Sequence, residues 1–269
     1  MNKFYIQIVF FLLSITLYVK NETLAAKADS GEDTEPKPEK RCLTLEEIYE
    51  KNKHLLCTNS EETKEAMNFM SKAVERLEYY AISEKDYIVC KKKYASRTNV
   101  YKTPCKEHAK VKKIYYTVYD PNKYNEIINE IWDPNHASPF NNGDVKIVRV
   151  YNPNLVMIQQ RYKKKFGSSQ RYFYALAGNV EISEGKTIIV MASANINDHN
   201  SKNKGSYKNT IIENANLFKA DIDSEDDIRK GKLTKTFVNI AGYLIEKRDW
   251  RVDVAYVESI DGYDSFKQK

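Results

Sequence analysis

The side chains best placed to do chemistry lie on two successive strand-like segments, residues 154–163 and 171–182. Alternate residues of a strand share a face, which groups Leu155, Met157, Gln159 and Arg161 on the first segment and Tyr172, Tyr174 and Leu176 on the second. A cavity wall needs apolar area for a ligand's bulk and a few polar groups for its head. The pattern is therefore typical of a sheet curled around a cavity, although a sheet whose polar tips reach solvent at its rim explains it equally well.

Enzymatic chemistry finds little support in the remaining motifs. The four histidines, His54, His108, His136 and His199, sit in separate segments without a GxSxG, HExxH or phosphate-loop motif around them. The acidic stretch "DSEDDIRK", residues 223–230, lacks the glycine and terminal glutamate of a calcium loop and is interpreted as a solvated turn. We therefore expect no catalytic residue, no metal site and no cofactor other than a bound ligand.

The N-terminus has the pattern of a secretory signal peptide, assigned to residues 1–26. Lys3 precedes an apolar stretch from Phe4 to Tyr18, and small residues follow. A membrane anchor is the alternative, but about fifteen residues are short of the ~20 that cross a bilayer. Residues 27–41, "KADSGEDTEPKPEKR", contain no apolar residue larger than alanine and are expected to form a disordered linker.

A secretory route permits disulfides between the four cysteines, Cys42, Cys57, Cys90 and Cys105. At least one bridge is predicted, three connectivities are possible, and free thiols or a metal site are the alternatives. The spacing fits no zinc pattern.

The net charge of +6 comes from basic residues interleaved with acidic ones. A solvated mixed surface is the favoured interpretation, and weak attraction to anionic membranes or nucleic acid is the alternative. We expect a monomer that binds no nucleic acid.

Helix signals are concentrated in the first half of the chain. Thr44 and Glu47 have capping-box spacing, and a long helix is predicted after Asn59 with its apolar stripe at Met67, Met70, Val74, Leu77 and Ala81. After a strand over residues 110–120, Asp120 and Pro121 predict the start of another helix that ends at Asp133.

The second half of the chain reads as strands separated by hairpin signals. They are predicted at about 145–151, 154–163, 171–182, 186–196, 209–221, 233–247 and 250–259, with no further helix. The pattern predicts an α+β fold built on a curved antiparallel sheet.

Several long blocks resemble the Plasmodium fam-a multigene family of rodent malaria parasites. They are "IWDPNHA", "KIVRVYNPNLVMIQQRYK", "RYFYALAGNVEISEGKTIIVMASANINDHN", "NTIIENANLFKADIDSEDDIRKGK" and "VAYVESIDG". The resemblance covers roughly residues 42–263 and implies a START-type helix-grip domain, in which an antiparallel sheet wraps around a lipid tunnel. It also implies phosphatidylcholine as the lipid.

The resemblance assigns roles to some of the residues above. Tyr172 matches a choline-cage aromatic, where cation–π attraction favours a ring, whereas Gln159 stands where a second aromatic is usual. Arg149 is a candidate phosphate partner. The remaining expected lipid-binding residues are Met157, Tyr174, Trp132, Met191, Ser193, Phe218 and Tyr243.

The expected function is that of a secreted lipid-binding and transfer protein, located in the parasitophorous vacuole or exported to the host erythrocyte, with phospholipid and membrane surfaces as partners. A secreted or exported interaction or antigenic protein that keeps the fold without transfer activity is the alternative. An export motif is incomplete because Leu45 replaces its acidic residue. Residues 264–269 are expected to form a truncated tail, and the C-terminal lid helix of START domains is expected to be absent.

Overall fold

Among the residues that the structure describes, three of the four α-helices lie in the first half of the chain. The computed structural model describes residues 41–83, 88–93, 98–102, 111–136, 143–164, 166–203, 205 and 207–261, with backbone alone for 88–93 and 98–100. The predicted signal peptide, most of the linker and the C-terminal tail lie outside these residues. The helices are α1 (Leu45–Asn52), α2 (Ser60–Ile82), α3 (Tyr124–Trp132) and α4 (Asp226–Arg229).

Side-chain caps explain where the helices begin. The Thr44 hydroxyl accepts from the Glu47 amide at 3.3 Å, and the Glu47 carboxylate accepts from the Thr44 amide at 2.9 Å, which confirms the predicted capping box. Asn59 Oδ1 accepts from the first two free amides of α2. Asp120 caps a 3₁₀ turn, Pro121–Lys123, that leads into α3.

Nine strands form one antiparallel sheet in the order β1–β2–β3–β12–β11–β7–β6–β5–β4. A short strand, β10, adds to β6 in parallel, and β8 pairs with β9 in a separate two-stranded sheet. The bounds are β1 (Ile88–Lys93), β2 (Thr98–Lys102), β3 (Lys112–Val118), β4 (Gly143–Asn152), β5 (Leu155–Tyr162), β6 (Arg171–Ser183), β7 (Lys186–Ala192), β8 (Asn195–Asn197), β9 (Lys219–Asp221), β10 (Thr234–Lys235), β11 (Val238–Arg248) and β12 (Arg251–Ile260). The predicted α+β class with a curved antiparallel sheet is confirmed.

Both faces of the central strands β5, β6, β7, β11 and β12 are largely buried. On the helix-α2 face, Leu176, Ile188 and Val190 pack in one cluster with Phe69 and Leu77 of α2. On the opposite face, called the helix-α3 face, the alternate residues pack in a second cluster with α1 and α3, for example Phe173, Tyr243, Val254, Ile48 and Ile127. Because each fully buried apolar side chain contributes about 1.5–3 kcal/mol, both layers are needed to hold the sheet.

Residues 193–233, here called the cover segment, pack over part of the helix-α2 face with little regular structure. Their buried apolar side chains include Ile196, Ile212, Phe218, Ile222 and Ile228. Asn209 bridges the segment to the sheet, since its side-chain amide donates to the Asn239 carbonyl at 2.9 Å and its oxygen accepts from two amides of the segment.

The strand predicted at 209–221 is therefore wrong for most of its length. This stretch contains a 3₁₀ turn, Glu213–Asn216, and only the three residues of β9. Strands β1 and β2 were not predicted, and α4 replaces the predicted solvated turn, because Ile228 is fully buried. Apolar residues that fix an irregular cover cannot be distinguished by spacing from those of a strand.

Candidate functional site

A cleft of about 580 Å³ runs along β4, the last strand of the sheet order. This volume falls within the range of about 300–1,000 Å³ that is typical of small-ligand sites. One part of its lining is apolar and includes Leu43, Ile48, Leu55, Val145 and Ile147. The other part is polar and includes Lys146, Arg149, Gln159, Tyr174 and Glu225. The cleft thus offers an apolar wall beside a charged one.

One border of the cleft is formed by residues 222–230, here called the strap, which include α4. The strap is tied to the sheet through Glu225, whose carboxylate accepts from Lys146 Nζ at 3.0 Å and from Gln159 Nε2 at 2.7 Å. Arg161 lies 3.3 Å from the same carboxylate and also binds Asp227 with both guanidinium nitrogens, at 2.6 and 3.0 Å. Three side chains of β4 and β5 therefore converge on one carboxylate.

The contacts between the strap and the sheet lower the pKa values of Glu225 and Asp227. Burial alone would raise the pKa of Glu225, but the hydrogen bonds from Gln159 and Lys146 outweigh it and lower the pKa to about 2. The hydrogen bond from Arg161 likewise lowers the pKa of Asp227. Both carboxylates are consequently ionised at neutral pH.

Arg149, the predicted phosphate partner, is held by protein groups. Its guanidinium donates to Glu62 at 2.6 Å and to the Asp221 carbonyl at 2.7 Å, and the Tyr151 hydroxyl donates to the same Glu62 oxygen at 2.7 Å. These contacts join the first turn of α2 to β4 and β9. Arg149 lines the cleft, but its charge is already paired.

Tyr172 and Tyr174 lie on the helix-α2 face and are almost fully buried, with 0% and 2% of their surface exposed. Their rings meet edge to face at 6.0 Å. The Tyr172 hydroxyl donates to Asp198 at 2.7 Å and accepts from Asn200 at 2.8 Å, while the Tyr174 hydroxyl accepts from Gln159 at 2.6 Å. These polar tips are satisfied by the protein itself, and burial raises the pKa of both hydroxyls.

The other predicted residues are divided between the two faces of the sheet. Met157 and Phe218 share the helix-α2 face with the tyrosines, and Ser193 bridges β6 and β11, since its hydroxyl donates to the Tyr174 carbonyl and accepts from the Val238 amide. Three others belong to the helix-α3 face: Trp132, Met191 and Tyr243. The ten residues therefore do not line one common wall; only Arg149, Gln159 and Tyr174 reach the cleft.

Sequence patterns do not identify Lys146 or Glu225 as site residues, and they place Arg161 only on a strand face. Lys146 alternates with Val145 and Ile147 on an edge strand, which could have indicated a cleft border. Glu225 had no such signal, because its position depends on how the irregular cover segment returns to the sheet.

The structure describes two of the four cysteine side chains, Cys42 and Cys57. Within the described ranges, no group of three or more His, Cys, Asp or Glu side chains is placed to hold a metal ion. Cys42 and Cys57 are free thiols, and Cys42 lies 3.2 Å from His136 Nδ1, so neither takes part in a disulfide, and the prediction of at least one bridge is left to Cys90 and Cys105. The Cys90 side chain and Cys105 lie outside the described part of the chain.

The strand order, the two helical layers and the antiparallel pairing define a START-like helix-grip fold. Human StAR-related lipid transfer protein 5 aligns with a TM-score of 0.50 and 13% identity over 76% of this chain and 86% of that one. Human STARD10 aligns with a TM-score of 0.49 and 11% identity over 71% of this chain and 67% of that one. No family model and no curated protein matches the sequence. At this identity the likeness shows the fold alone.

Proposed function

We propose that this chain is a phospholipid-binding and lipid-transfer protein whose ligand enters the cleft along β4. The observation that carries the proposal is the pairing of an apolar wall with cationic and amide groups in one cleft of about 580 Å³. An acyl chain gains about 0.8 kcal/mol per buried CH₂ on the apolar wall, and a head group meets Lys146, Arg149 and Gln159. The helix-grip fold shared with a human StAR-related lipid transfer protein supports the same function.

The finer assignments form part of the same proposal. Phosphatidylcholine is the proposed lipid, and membership of the fam-a family, secretion behind a signal peptide and export towards the host erythrocyte are proposed from the sequence resemblance. Residues 42–263 are the proposed lipid-binding domain, acting as a monomer at membrane surfaces without an enzymatic step. Across the described helices, none is both long and apolar enough to span a bilayer.

The first experiment identifies the lipid directly. The purified full chain is incubated with vesicles of mixed phospholipids, separated from them, and analysed by mass spectrometry for lipid that remains bound. We expect stoichiometric phospholipid, with phosphatidylcholine among the species recovered. No phospholipid above the amount retained by an unrelated protein would refute the proposed function.

A matched pair of variants locates the site. Val145→Asp places a charge on the apolar wall of the cleft, and Leu217→Asp makes the same kind of change at a leucine that is 75% exposed and does not line the cleft. Bound phospholipid should fall several-fold for Val145→Asp and stay unchanged for Leu217→Asp, since a buried charge opposes an acyl chain. Equal lipid in both variants would place the ligand outside this cleft.

A further inference from the structure

Glu225 occupies the centre of an anion site that the sheet builds without it. Its two oxygens receive Lys146 Nζ at 3.0 Å and Gln159 Nε2 at 2.7 Å, and Arg161 Nη2 stands 3.3 Å away. The donors come from β4 and β5, whereas Glu225 comes from the strap, 64 residues further along the chain from Arg161. The site is therefore a property of the sheet, and its occupant belongs to a separate segment.

The geometry suits a phosphate as well as a carboxylate. A tetrahedral phosphate offers oxygens to an ammonium, an amide and a guanidinium at the same time, and charge-assisted bonds of this kind are the strong ones. Gln159 is 3% exposed, so its amide is fixed in direction, while the side chains of Lys146 and Glu225 are 62% and 39% exposed. An incoming anion can reach the site from the cleft, because the cleft is lined by Lys146, Gln159 and Glu225, although not by Arg161.

The strap can release Glu225 without dismantling the fold. Asp227 keeps a separate two-point contact with Arg161, and Ile228 stays anchored in the core. A rotation of the Glu225 side chain alone would free Lys146 and Gln159. The Lys146–Glu225 pair lies at the surface, where solvent screens it, so an anion of higher charge is able to displace Glu225.

We propose that Glu225 is an internal pseudo-ligand, and that the phosphate group of a bound lipid displaces it to pair with Lys146, Gln159 and Arg161. This inference rests on the proposed function and adds the chemistry of head-group recognition. The phosphate of any phospholipid can use the site, and a phosphomonoester, which carries more negative charge than a phosphodiester, should gain most. A lipid can bind only those molecules in which Glu225 has left the site, so its apparent affinity is the intrinsic affinity multiplied by the fraction of molecules in which the site is open. Removing Glu225 should therefore tighten binding.

The test compares water-soluble short-chain lipids below their micelle-forming concentrations, with calorimetry as the readout and the full chain as the protein. The probes are dihexanoyl phosphatidic acid, dihexanoyl phosphatidylcholine, glycerol 3-phosphate and inorganic phosphate. We expect Glu225→Ala to bind phosphatidic acid about tenfold more tightly than the natural chain. Lys146→Gln should weaken the same binding several-fold.

Two matched controls separate the site from general charge. Asp226→Ala removes the adjacent acidic group, which pairs with Arg229 and Lys230 on the strap, and Lys230→Gln removes the lysine that pairs with Asp226. Neither control should change lipid binding. Glu225→Gln removes the charge and keeps the side-chain shape, and it should tighten phosphatidic acid binding in the same direction if Glu225→Ala does not fold.

Each other result has a definite meaning. If the natural chain binds both lipids and neither Glu225 variant binds more tightly, the pseudo-ligand is refuted and the proposed function stands. If no variant binds any lipid, the proposed function is refuted as well. If inorganic phosphate gains as much as phosphatidic acid from Glu225→Ala, the site is a phosphate site independent of lipid, and the lipid assignment is overturned.

Discussion

The substitution Tyr172→Phe distinguishes a core tyrosine from a choline-cage tyrosine. The ring of Tyr172 has no exposed surface, and its hydroxyl donates to Asp198 at 2.7 Å and accepts from Asn200 at 2.8 Å. Asp198 also pairs with Lys235 at 3.0 Å, and both side chains of that ion pair are at least nine-tenths buried. Removing one hydroxyl thus takes a donor away from a buried carboxylate and an acceptor away from a buried amide.

The expected cost follows from these contacts. A hydrogen bond to a charged group contributes about 1.5–3 kcal/mol, and a buried group left without its partner adds to the loss. We expect the free energy of unfolding to fall by about 2–3 kcal/mol, because Lys235 still compensates part of the charge on Asp198. For a domain of about 200 residues this corresponds to a decrease in Tm of about 4–12 °C.

The assay is thermal unfolding of both proteins, followed by circular dichroism, together with phospholipid recovery from vesicles. Tyr119→Phe is the matched control, since Tyr119 is 50% exposed at the end of β3 and its change should stay within about 0.5 kcal/mol. Lipid recovery should be the same for all three proteins. A Tyr172→Phe variant with unchanged Tm and altered phosphatidylcholine binding would contradict the packing and support the cage.

Three further predictions concern the sheet and its edge. Gly242→Ala should lower the free energy of unfolding, measured by denaturant titration, by at least about 3 kcal/mol, because the added Cβ would lie 2.2 Å from the Ile189 carbonyl oxygen. Gly178→Ala is the control and should be nearly neutral in the same titration, since the nearest atom to its added Cβ lies at 3.5 Å. Arg149→Lys should cost about 1–2 kcal/mol by chemical unfolding, since a lysine cannot hold Glu62 and the Asp221 carbonyl together; a change below 0.5 kcal/mol would mean the contacts are replaceable. The pKa of Glu225 falls from its ordinary 4.5 to about 2, so its contribution to stability is present above pH 4.5 and lost as the pH falls towards 2. Glu225→Gln should therefore flatten the pH dependence of Tm between pH 4.5 and 2. An unaltered profile would refute the coupling.

Much of the fold could be predicted because its signals are local. The capping box at Thr44, the cap at Asn59 and the strand patterns from β4 to β7 depend on neighbouring residues, and they are found where the sequence placed them. β1 and β2 could not be found in this way, since "IVCKKK" and "TNVYK" have too few apolar residues to show a period of two. Their place in the sheet comes from pairing, because β2 pairs with β3 and β1 pairs with β2.

The candidate site was harder to predict, because alternation tells which residues share a face but not what covers that face. Gln159 and Tyr174 were correctly grouped, and they do lie together. Polar groups on a buried sheet face need partners, and a ligand is only one source of them; here Asp198 and Asn200 of the cover segment and Glu225 of the strap supply the partners.

This distinction moves the candidate site from the middle of the sheet to its edge. The central strands are packed on both faces by α2, α3 and the cover segment, so a ligand there would have to displace well-packed side chains. Along β4 the cover is a strap whose charged contacts with the sheet are only partly buried, and such contacts can be exchanged for a ligand's charge. Because the Glu225 carboxylate already satisfies the donors of the sheet, sequence patterns do not show that a site is present. The same carboxylate indicates that the group replacing it would be an anion.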